Sequence, residues 1–166
     1  MTMIDRYAPL VLLVAAAAIL GAAFAFEHLG GLAPCDLCWW QRYVLMAAIP
    51  VAAAATVADR GRTPAAAATL ALLGIIFTAG AGIAAFHVGV EQGWWQGPTA
   101  CSATSLSDDI EAMFRDIMAA PVVRCDEAAW SLFGISMAGY NLILSAGLAA
   151  LAFRAAWIRG RRGTLK

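Results

Sequence analysis

The sequence alternates between four long apolar blocks and shorter polar segments. The apolar blocks cover residues 10–26, 39–58, 65–86 and 132–153, and Arg42 is the only charged side chain inside any of them. A helix needs about 20 consecutive apolar residues to cross the hydrocarbon core of a bilayer. Three blocks meet this length outright, and the first reaches it when the residues just before it are included. The pattern therefore predicts an all-α membrane protein, a four-helix transmembrane bundle.

The predicted bundle takes up the whole chain, 1–166, as a single domain. Its predicted spans and outward-facing loops are, in chain order, span 9–27, loop 28–38, span 39–58, span 65–87, loop 88–130 and span 131–153. Composition agrees, because 62% of the residues are hydrophobic and 13% are charged, whereas a soluble domain carries about 25% charged residues. A soluble bundle of four buried helices is excluded, since too few polar residues remain to coat it. The net charge is zero, and without a basic stripe we expect no nucleic-acid partner.

Basic residues mark one side of the predicted membrane. They concentrate before the first block, in the turn between the second and third, and after the fourth: Arg6, Arg60, Arg62, Arg154, Arg159, Arg161, Arg162 and Lys166. Cytoplasmic loops carry an excess of Lys and Arg, so we expect both termini to be cytoplasmic and the two long loops to face outward. An alternative interpretation treats the first block as a cleavable signal peptide, which leaves the loops on the same side.

All four cysteines lie in the outward loops, where disulfides persist. Four cysteines allow three pairings, and proximity along the chain favours Cys35–Cys38 and Cys101–Cys125. The first pair forms a CxxC at a predicted helix start, which Pro34 suits because its missing N–H costs nothing there. A thiol at such a position has a depressed pKa and is more often thiolate, the form that exchanges disulfides. These features favour a catalytic pair over a structural one.

The second outward loop combines aromatic, amphipathic and cysteine features. Trp94 and Trp95 suit the membrane interface, with direct contact to a ligand as the alternative. Residues 106–118 carry apolar side chains on one helical face and charges elsewhere. This predicts a short amphipathic helix that either lies on the membrane surface or packs on the mouth of the bundle. Cys101 and Cys125 flank that segment, so a mobile loop would carry them between a soluble partner and the CxxC.

The charge inside the second span is a functional candidate. Arg42 follows Cys38 by four residues, so both share one helix face, and a charged residue in a span marks a site by default. The alternative is an arginine that reaches out to lipid phosphate. Electrons that leave a disulfide in a membrane need a lipid-soluble acceptor, and no haem, flavin or nucleotide motif is visible, so a quinone is expected. A zinc site and a scaffold with two structural disulfides are the alternatives; we expect no metal.

The residues around the cysteines resemble a known family over nearly the whole chain. The run 35–43, CDLCWWQRY, is similar to the first-loop motif of DsbB, the bacterial disulfide bond formation protein B family. Phe26, Glu27, His28 and Pro34 before it fit as well. The run 124–137, RCDEAAWSLFGISM, resembles the second-loop motif. Proteins similar to vitamin K epoxide reductase share four spans and four cysteines, but their CxxC comes late in the chain, which makes them the second choice.

The resemblance implies a disulfide-generating enzyme of the bacterial inner membrane, with its cysteine loops in the periplasm. It implies that a Cys101–Cys125 disulfide oxidises a thioredoxin-like partner of the DsbA type, with Cys101 forming the mixed disulfide. Cys35 and Cys38 would then reoxidise that pair and pass the electrons to ubiquinone or menaquinone.

The same resemblance places further residues near the quinone. Cys38 faces it and Arg42 supports the site, while His87, Trp130 and Met137 match positions close to it. One departure is Gln41, where some members of the family have an acidic residue.

Overall fold

The computed structural model describes residues 3–60, 65–98 and 123–163, with side chains described from residue 5 to residue 161. Within these ranges the chain forms helices α1 (Met3–His28), α2 (Asp36–Arg60), α3 (Ala65–Glu91) and α4 (Met137–Gly163). Two short strands, β1 (Ser131–Leu132) and β2 (Ile135–Ser136), precede α4. All four helices are long and apolar enough to cross a membrane, which confirms the predicted four-helix transmembrane bundle. The predicted amphipathic helix, 106–118, lies outside the described residues.

Small side chains let the helices pack closely. The third helix contacts both α2 and α4, while α1 lies against α2 and, over a smaller area, α4. The core residues include Ala8, Leu12, Ala16, Leu45, Ala48, Ala52, Ala55, Leu70, Leu73, Phe77, Ala149, Ala152 and Ala155. At Gly74 a Cβ would lie 2.6 Å from the ring of Phe153. Lipid is as apolar as leucine, so the close fit of these residues, more than removal from water, holds the bundle together.

A glycine pair ends the first helix and sets the path toward the CxxC. The Gly31 amide donates to the Glu27 carbonyl at 3.1 Å, and the Leu32 amide donates to the Phe26 carbonyl at 3.2 Å. Gly31 has a φ of 68°, the left-handed conformation that ends helices in this bonding pattern. A Cβ at Gly30 would lie only 2.6 Å from the Phe26 carbonyl oxygen. Both positions therefore need glycine to turn the chain toward α2.

The fourth helix begins later than the apolar pattern predicts. The pattern predicts a start at about residue 131, whereas α4 begins at Met137, because Ser131 and Ser136 pair across a β-hairpin. Phe133 and Gly134 form its turn, with φ values of 52° and 76°, as a two-residue turn between twisted strands requires. The Gly139 amide then donates to the Ser136 hydroxyl at 3.1 Å, which caps the start of α4.

Ion pairs connect three helices at the end of the bundle opposite the CxxC. Arg154 of α4 donates to Asp5 of α1 at 2.8 Å, and the Asp5 side chain is almost fully buried. Arg159 of α4 pairs with Asp59 of α2 and also donates to the Asp5 carbonyl at 3.1 Å. This end therefore holds α1, α2 and α4 together through charge as well as packing.

Candidate functional site

A cavity of about 500 Å³ opens between the helices at the end of the bundle that carries the CxxC. This volume lies in the usual range for small-molecule sites. The cavity brings together every candidate residue near the quinone that the sequence suggests: Cys38, Arg42, His87, Trp130 and Met137, with Cys35 beside them. Its remaining walls are largely apolar and include Ala18, Ile19 and Ala22 of α1. The arrangement suits a small, largely apolar molecule that meets few polar groups.

The CxxC lies where the loop from α1 enters α2. Cys35 comes just before the helix begins at Asp36, and both cysteines of the motif are free thiols. Their sulfur atoms are 2.9 Å apart, and the Cys38 amide donates to the Cys35 sulfur at 3.3 Å. The hydrogen bond to Cys38, together with burial, raises the pKa of the Cys35 thiol. Cys35 therefore keeps its proton in the reduced pair and donates it to the Cys38 sulfur.

Cys125 lies in the same buried cluster as the first cysteine of the CxxC. It is disulfide-bonded and fully buried in a cluster with Cys35, Leu37 and Val90. Cys101 lies outside the described residues. The sequence suggested a loop that swings toward the CxxC, and the structure places the second cysteine of that loop in one buried cluster with Cys35.

His87 of α3 sits between the two cysteine segments. Its Nε2 lies 3.6 Å from the Cys35 sulfur, and the ring also hydrogen-bonds the backbone of Cys125. Its Nδ1 lies 2.9 Å from the side-chain nitrogen of Gln41, and Asn141 of α4 donates to the Gln41 side-chain oxygen at 2.6 Å. Sequence reasoning singled out His87 but missed Asn141, because nothing local connects it to a helix 100 residues away in sequence.

Arg42 is buried in the wall of the cavity and its charge is paired. It forms an ion pair with Glu27 of α1 and donates to the Ala23 carbonyl at 3.1 Å. Its guanidinium also lies over the rings of Phe24 and Trp39, at 4.9 and 5.0 Å. The residue is therefore not a lipid anchor, and Glu27 is a site residue that the sequence reasoning quoted without giving it a role.

Aromatic side chains close the cavity near the hairpin. Trp130 packs on Phe26 of α1 at 5.2 Å and on Tyr140 of α4 at 6.3 Å between ring centres. The Tyr140 hydroxyl donates to the Leu132 carbonyl at 3.1 Å, so the hairpin and α4 hold each other. Trp95, in turn, donates to the Phe86 carbonyl at 2.8 Å, which fixes its position at the end of α3.

An exposed ion pair joins the two residues on either side of Cys125. Arg124 donates to Asp126 through two nitrogens, at 2.9 and 2.6 Å. This hydrogen bonding lowers the pKa of Asp126 and raises that of Arg124. Because the pair is open to solvent, it adds little to stability.

Comparison with known proteins gives one consistent result. The family model for disulfide bond formation protein DsbB matches residues 5–155. Disulfide bond formation protein B 2 of Pseudomonas syringae is 30% identical over 146 residues, which cover 83% of this chain and 80% of the relative. Disulfide bond formation protein B of Marinobacter nauticus is 32% identical over 142 residues, which cover 81% of this chain and 80% of the relative. No solved structure matches the chain.

Proposed function

This chain belongs to the DsbB family, whose members are membrane thiol oxidoreductases of disulfide bond formation, and from that premise we propose how its four cysteines work. We propose that it reoxidises a DsbA-like periplasmic thioredoxin-fold protein and passes the electrons through Cys101–Cys125 and Cys35–Cys38 to a membrane quinone. The observation that carries the proposal is the burial of Cys125 in one cluster with Cys35, beside the cavity that Cys38 lines.

The first half of the proposed relay exchanges disulfides with the partner. Two of the four cysteines are free thiols and Cys125 is disulfide-bonded, which supports Cys101 as its partner. A thiolate of the DsbA-like protein attacks Cys101, and Cys125 leaves as a thiolate. The partner's second thiol then displaces Cys101, so the partner leaves oxidised and this chain holds a reduced Cys101 and Cys125. Two electrons have moved from the partner's dithiol to the second loop.

The second half moves the same two electrons to the CxxC. Cys125 attacks Cys35 of an oxidised Cys35–Cys38 pair, the new S–S bond joins Cys125 to Cys35, and Cys38 leaves as a thiolate. Cys101 then displaces Cys35 and restores the Cys101–Cys125 disulfide. The position of His87 supports this order, because its ring meets both the Cys35 sulfur and the backbone of Cys125.

The cavity supports a quinone as the final acceptor. Its largely apolar walls and few donors fit a ring with two carbonyl oxygens, and Arg42, His87, Trp130 and Met137 are the lining residues that we propose to contact it. A bound quinone supplies the sink for two electrons and two protons. Energetics agree with this choice, since DsbA is a strong oxidant at about −120 mV and about 30 mV corresponds to 1.4 kcal/mol for a two-electron couple. A glutathione-type carrier, about 60 mV or more below, would oppose the transfer by several kcal/mol.

We also propose that both termini are cytoplasmic and that the cysteine loops face the periplasm of a bacterial inner membrane. The basic residues support this orientation, because they cluster at the end of the bundle opposite the CxxC. The excess of arginine on the cytoplasmic side is the general rule for membrane proteins.

The test is a single-turnover experiment without oxygen. Purified protein is mixed with a reduced DsbA-like protein and a short-chain quinone, and partner oxidation and quinone loss are followed separately. The wild type should do both. Cys38→Ser should still oxidise one equivalent of partner and leave the quinone unchanged, and Cys125→Ala should trap a mixed disulfide between Cys101 and the partner. A wild type that leaves the quinone oxidised, or trapping through Cys35 with Cys101 free, would contradict the proposal.

A further inference from the structure

A buried chain of hydrogen bonds ends at the CxxC and takes no part in the exchange of sulfurs. It runs from Ser145 and Asn141 of α4 through Gln41 of α2 to His87 of α3, and from His87 to the Cys35 sulfur. Gln41, His87 and Ser145 are buried. Each polar group in such a chain is costly to bury unless it is paired. A buried polar chain of this length is therefore a candidate for a functional role.

One backbone carbonyl fixes the direction of every bond in this chain. The Gln41 side-chain nitrogen lies 3.2 Å from the Leu37 carbonyl oxygen. An oxygen of Gln41 in that place would face another acceptor, so the amide group cannot be turned over. Its nitrogen therefore donates to Nδ1 of His87, at 2.9 Å, and its oxygen accepts from Asn141, at 2.6 Å.

The direction of these bonds determines which ring nitrogen of His87 carries the proton. A neutral imidazole has one donor and one acceptor nitrogen, and Nδ1 is the acceptor of the Gln41 N–H. The proton therefore sits on Nε2, which faces the Cys35 sulfur at 3.6 Å. The ring also bonds the backbone of Cys125, so a single N–H group lies between the two sulfur-bearing segments.

We propose that Gln41 and Asn141 are positioning residues that hold His87 as the Nε2–H tautomer, a neutral donor that keeps Cys35 and Cys125 in register for exchange. The hydrogen bonds support the tautomer itself. Its role in the exchange between Cys35 and Cys125 rests on the proposed function. When Cys125 attacks Cys35, one S–S bond forms, another breaks, and the electron pair leaves on Cys38. No proton needs to pass through His87, so a fixed donor serves this step better than a base.

The same tautomer keeps His87 from acting as a metal ligand beside the two thiols. The ligand atoms of Cys35, Cys38 and His87 lie within 4.8 Å of one another, a set of two sulfurs and one nitrogen that suits zinc. Zinc needs the lone pair of the ring nitrogen, but Nε2 carries a proton here. Glutamate in place of Gln41 would reverse this, since a carboxylate accepts the proton of Nδ1 and exposes the lone pair of Nε2. Such carboxylate partners support many zinc-bound histidines.

The first measurement needs no variant of the chain. Nitrogen NMR of ¹⁵N-histidine protein in its reduced form distinguishes a protonated from an unprotonated ring nitrogen. The chain has two histidines, so His87→Ala identifies the signals. We expect His87 to be protonated on Nε2 and unprotonated on Nδ1, and Asn141→Asp to give a mixture, because it removes the donor that holds the Gln41 oxygen. A wild-type ring protonated on Nδ1 would overturn the proposal.

The second measurement looks for a gain of zinc binding. Reduced protein is titrated with Zn²⁺ against a competing chelator, with and without His87→Ala. In the wild type this substitution should change the zinc affinity little, because the ring is no ligand. In Gln41→Glu it should lower the affinity by at least about 10- to 100-fold, the loss that follows when only the outer-shell partner of a zinc-bound histidine is removed. Gln92→Glu, the same change at an exposed position, should behave like the wild type. Equal losses in the wild type and Gln41→Glu would overturn the proposal.

Both measurements are made without partner or quinone, so they distinguish this inference from the proposed function. If the tautomer is as expected but no quinone is reduced, the relay is wrong and the hydrogen-bonded chain stands. If quinone is reduced with His87 protonated on Nδ1, only the positioning role is wrong.

Discussion

The buried ion pair in the wall of the cavity gives the sharpest test of how the site is built. Arg42 and Glu27 keep only 7% and 20% of their side-chain surface exposed. Arg42→Met removes the charge, keeps much of the length, and leaves Glu27 without the guanidinium that pairs with it. We expect the variant to be clearly less stable and slow in quinone reduction.

The structure sets the size of the loss. Removing one partner of a buried pair costs about 3–5 kcal/mol, because a charge stays buried without compensation. Because a fifth of the Glu27 side chain is exposed to solvent, we expect the loss of stability from the broken pair to be at the lower end, about 3 kcal/mol. A charged hydrogen bond such as that to the Ala23 carbonyl contributes about 1.5–3 kcal/mol, and each contact with the rings of Phe24 and Trp39 about 0.5–1 kcal/mol. These contributions overlap, so we expect a total of about 3–5 kcal/mol.

Unfolding in mixed micelles, followed by tryptophan fluorescence, measures this loss. The double variant Glu27→Gln with Arg42→Met should recover about 1–3 kcal/mol of it, because no uncompensated carboxylate remains. Arg161→Met is the matched control. It removes a guanidinium at an exposed position, 4.9 Å above the ring of Trp157, and should cost less than about 1 kcal/mol.

Activity measurements on the Arg42 variants separate the two steps of the proposed relay. Arg42 lines the cavity beside Cys38, so Arg42→Met should slow quinone reduction in single-turnover mixing and leave partner oxidation largely intact. Arg42→Lys should fall between, since lysine keeps the charge but not the planar fork. If Arg42→Met unfolds within about 1 kcal/mol of the wild type and reduces quinone at the same rate, the pair is a surface contact and our description of the site is wrong.

Three further predictions follow from the loop and the CxxC. Since the pKa of Cys35 is raised, its thiolate fraction is low at any pH below the ordinary thiol value of about 8.5. Iodoacetamide at pH 7–8 should therefore modify Cys38 first in the reduced protein. Equal modification of Cys35, measured by mass spectrometry, would contradict this. In intact cells, a membrane-impermeant maleimide should reach Cys38 from the periplasmic side after reduction, and labelling only after the cytoplasm is opened would reverse the proposed orientation. Gly30→Ala should lower the free energy of unfolding by about 1–3 kcal/mol, because its Cβ would lie 2.6 Å from a backbone oxygen, whereas Gly21→Ala, with no atom within 4 Å, should not destabilise the protein.

The apolar pattern predicts the helices well because membrane spans depend mainly on local composition. It fails at the start of α4, where residues 131–136 are as apolar as the helix that follows. The turn there depends on a positive φ at Phe133, a conformation that a bulky residue rarely adopts, so no residue preference marks it. Only Gly134 gave a local hint, and a glycine inside a membrane span is too common to indicate a turn.

The candidate site also has features that the sequence predicts and features that it does not. Spacing within one helix predicts that Cys38 and Arg42 share a face, and the resemblance supplied His87. The partner of Arg42 is Glu27, 15 residues away on another helix, and Gln41 meets Asn141 across 100 residues. Contacts between helices depend on how each helix is rotated about its axis, and a sequence with few polar residues in its spans contains little information about that rotation.

The ion pair between Asp5 and Arg154 has a consequence for how the protein is made. The two residues are 149 positions apart, so the acidic one enters the membrane long before its basic partner leaves the ribosome. Through most of synthesis, the first helix must reside in the bilayer or in the insertion machinery without this contact. Closure of the bundle therefore waits for the last helix, and a chain cut short before residue 154 would carry an acid with no basic partner from α4. Such a chain is an expected target for membrane proteases.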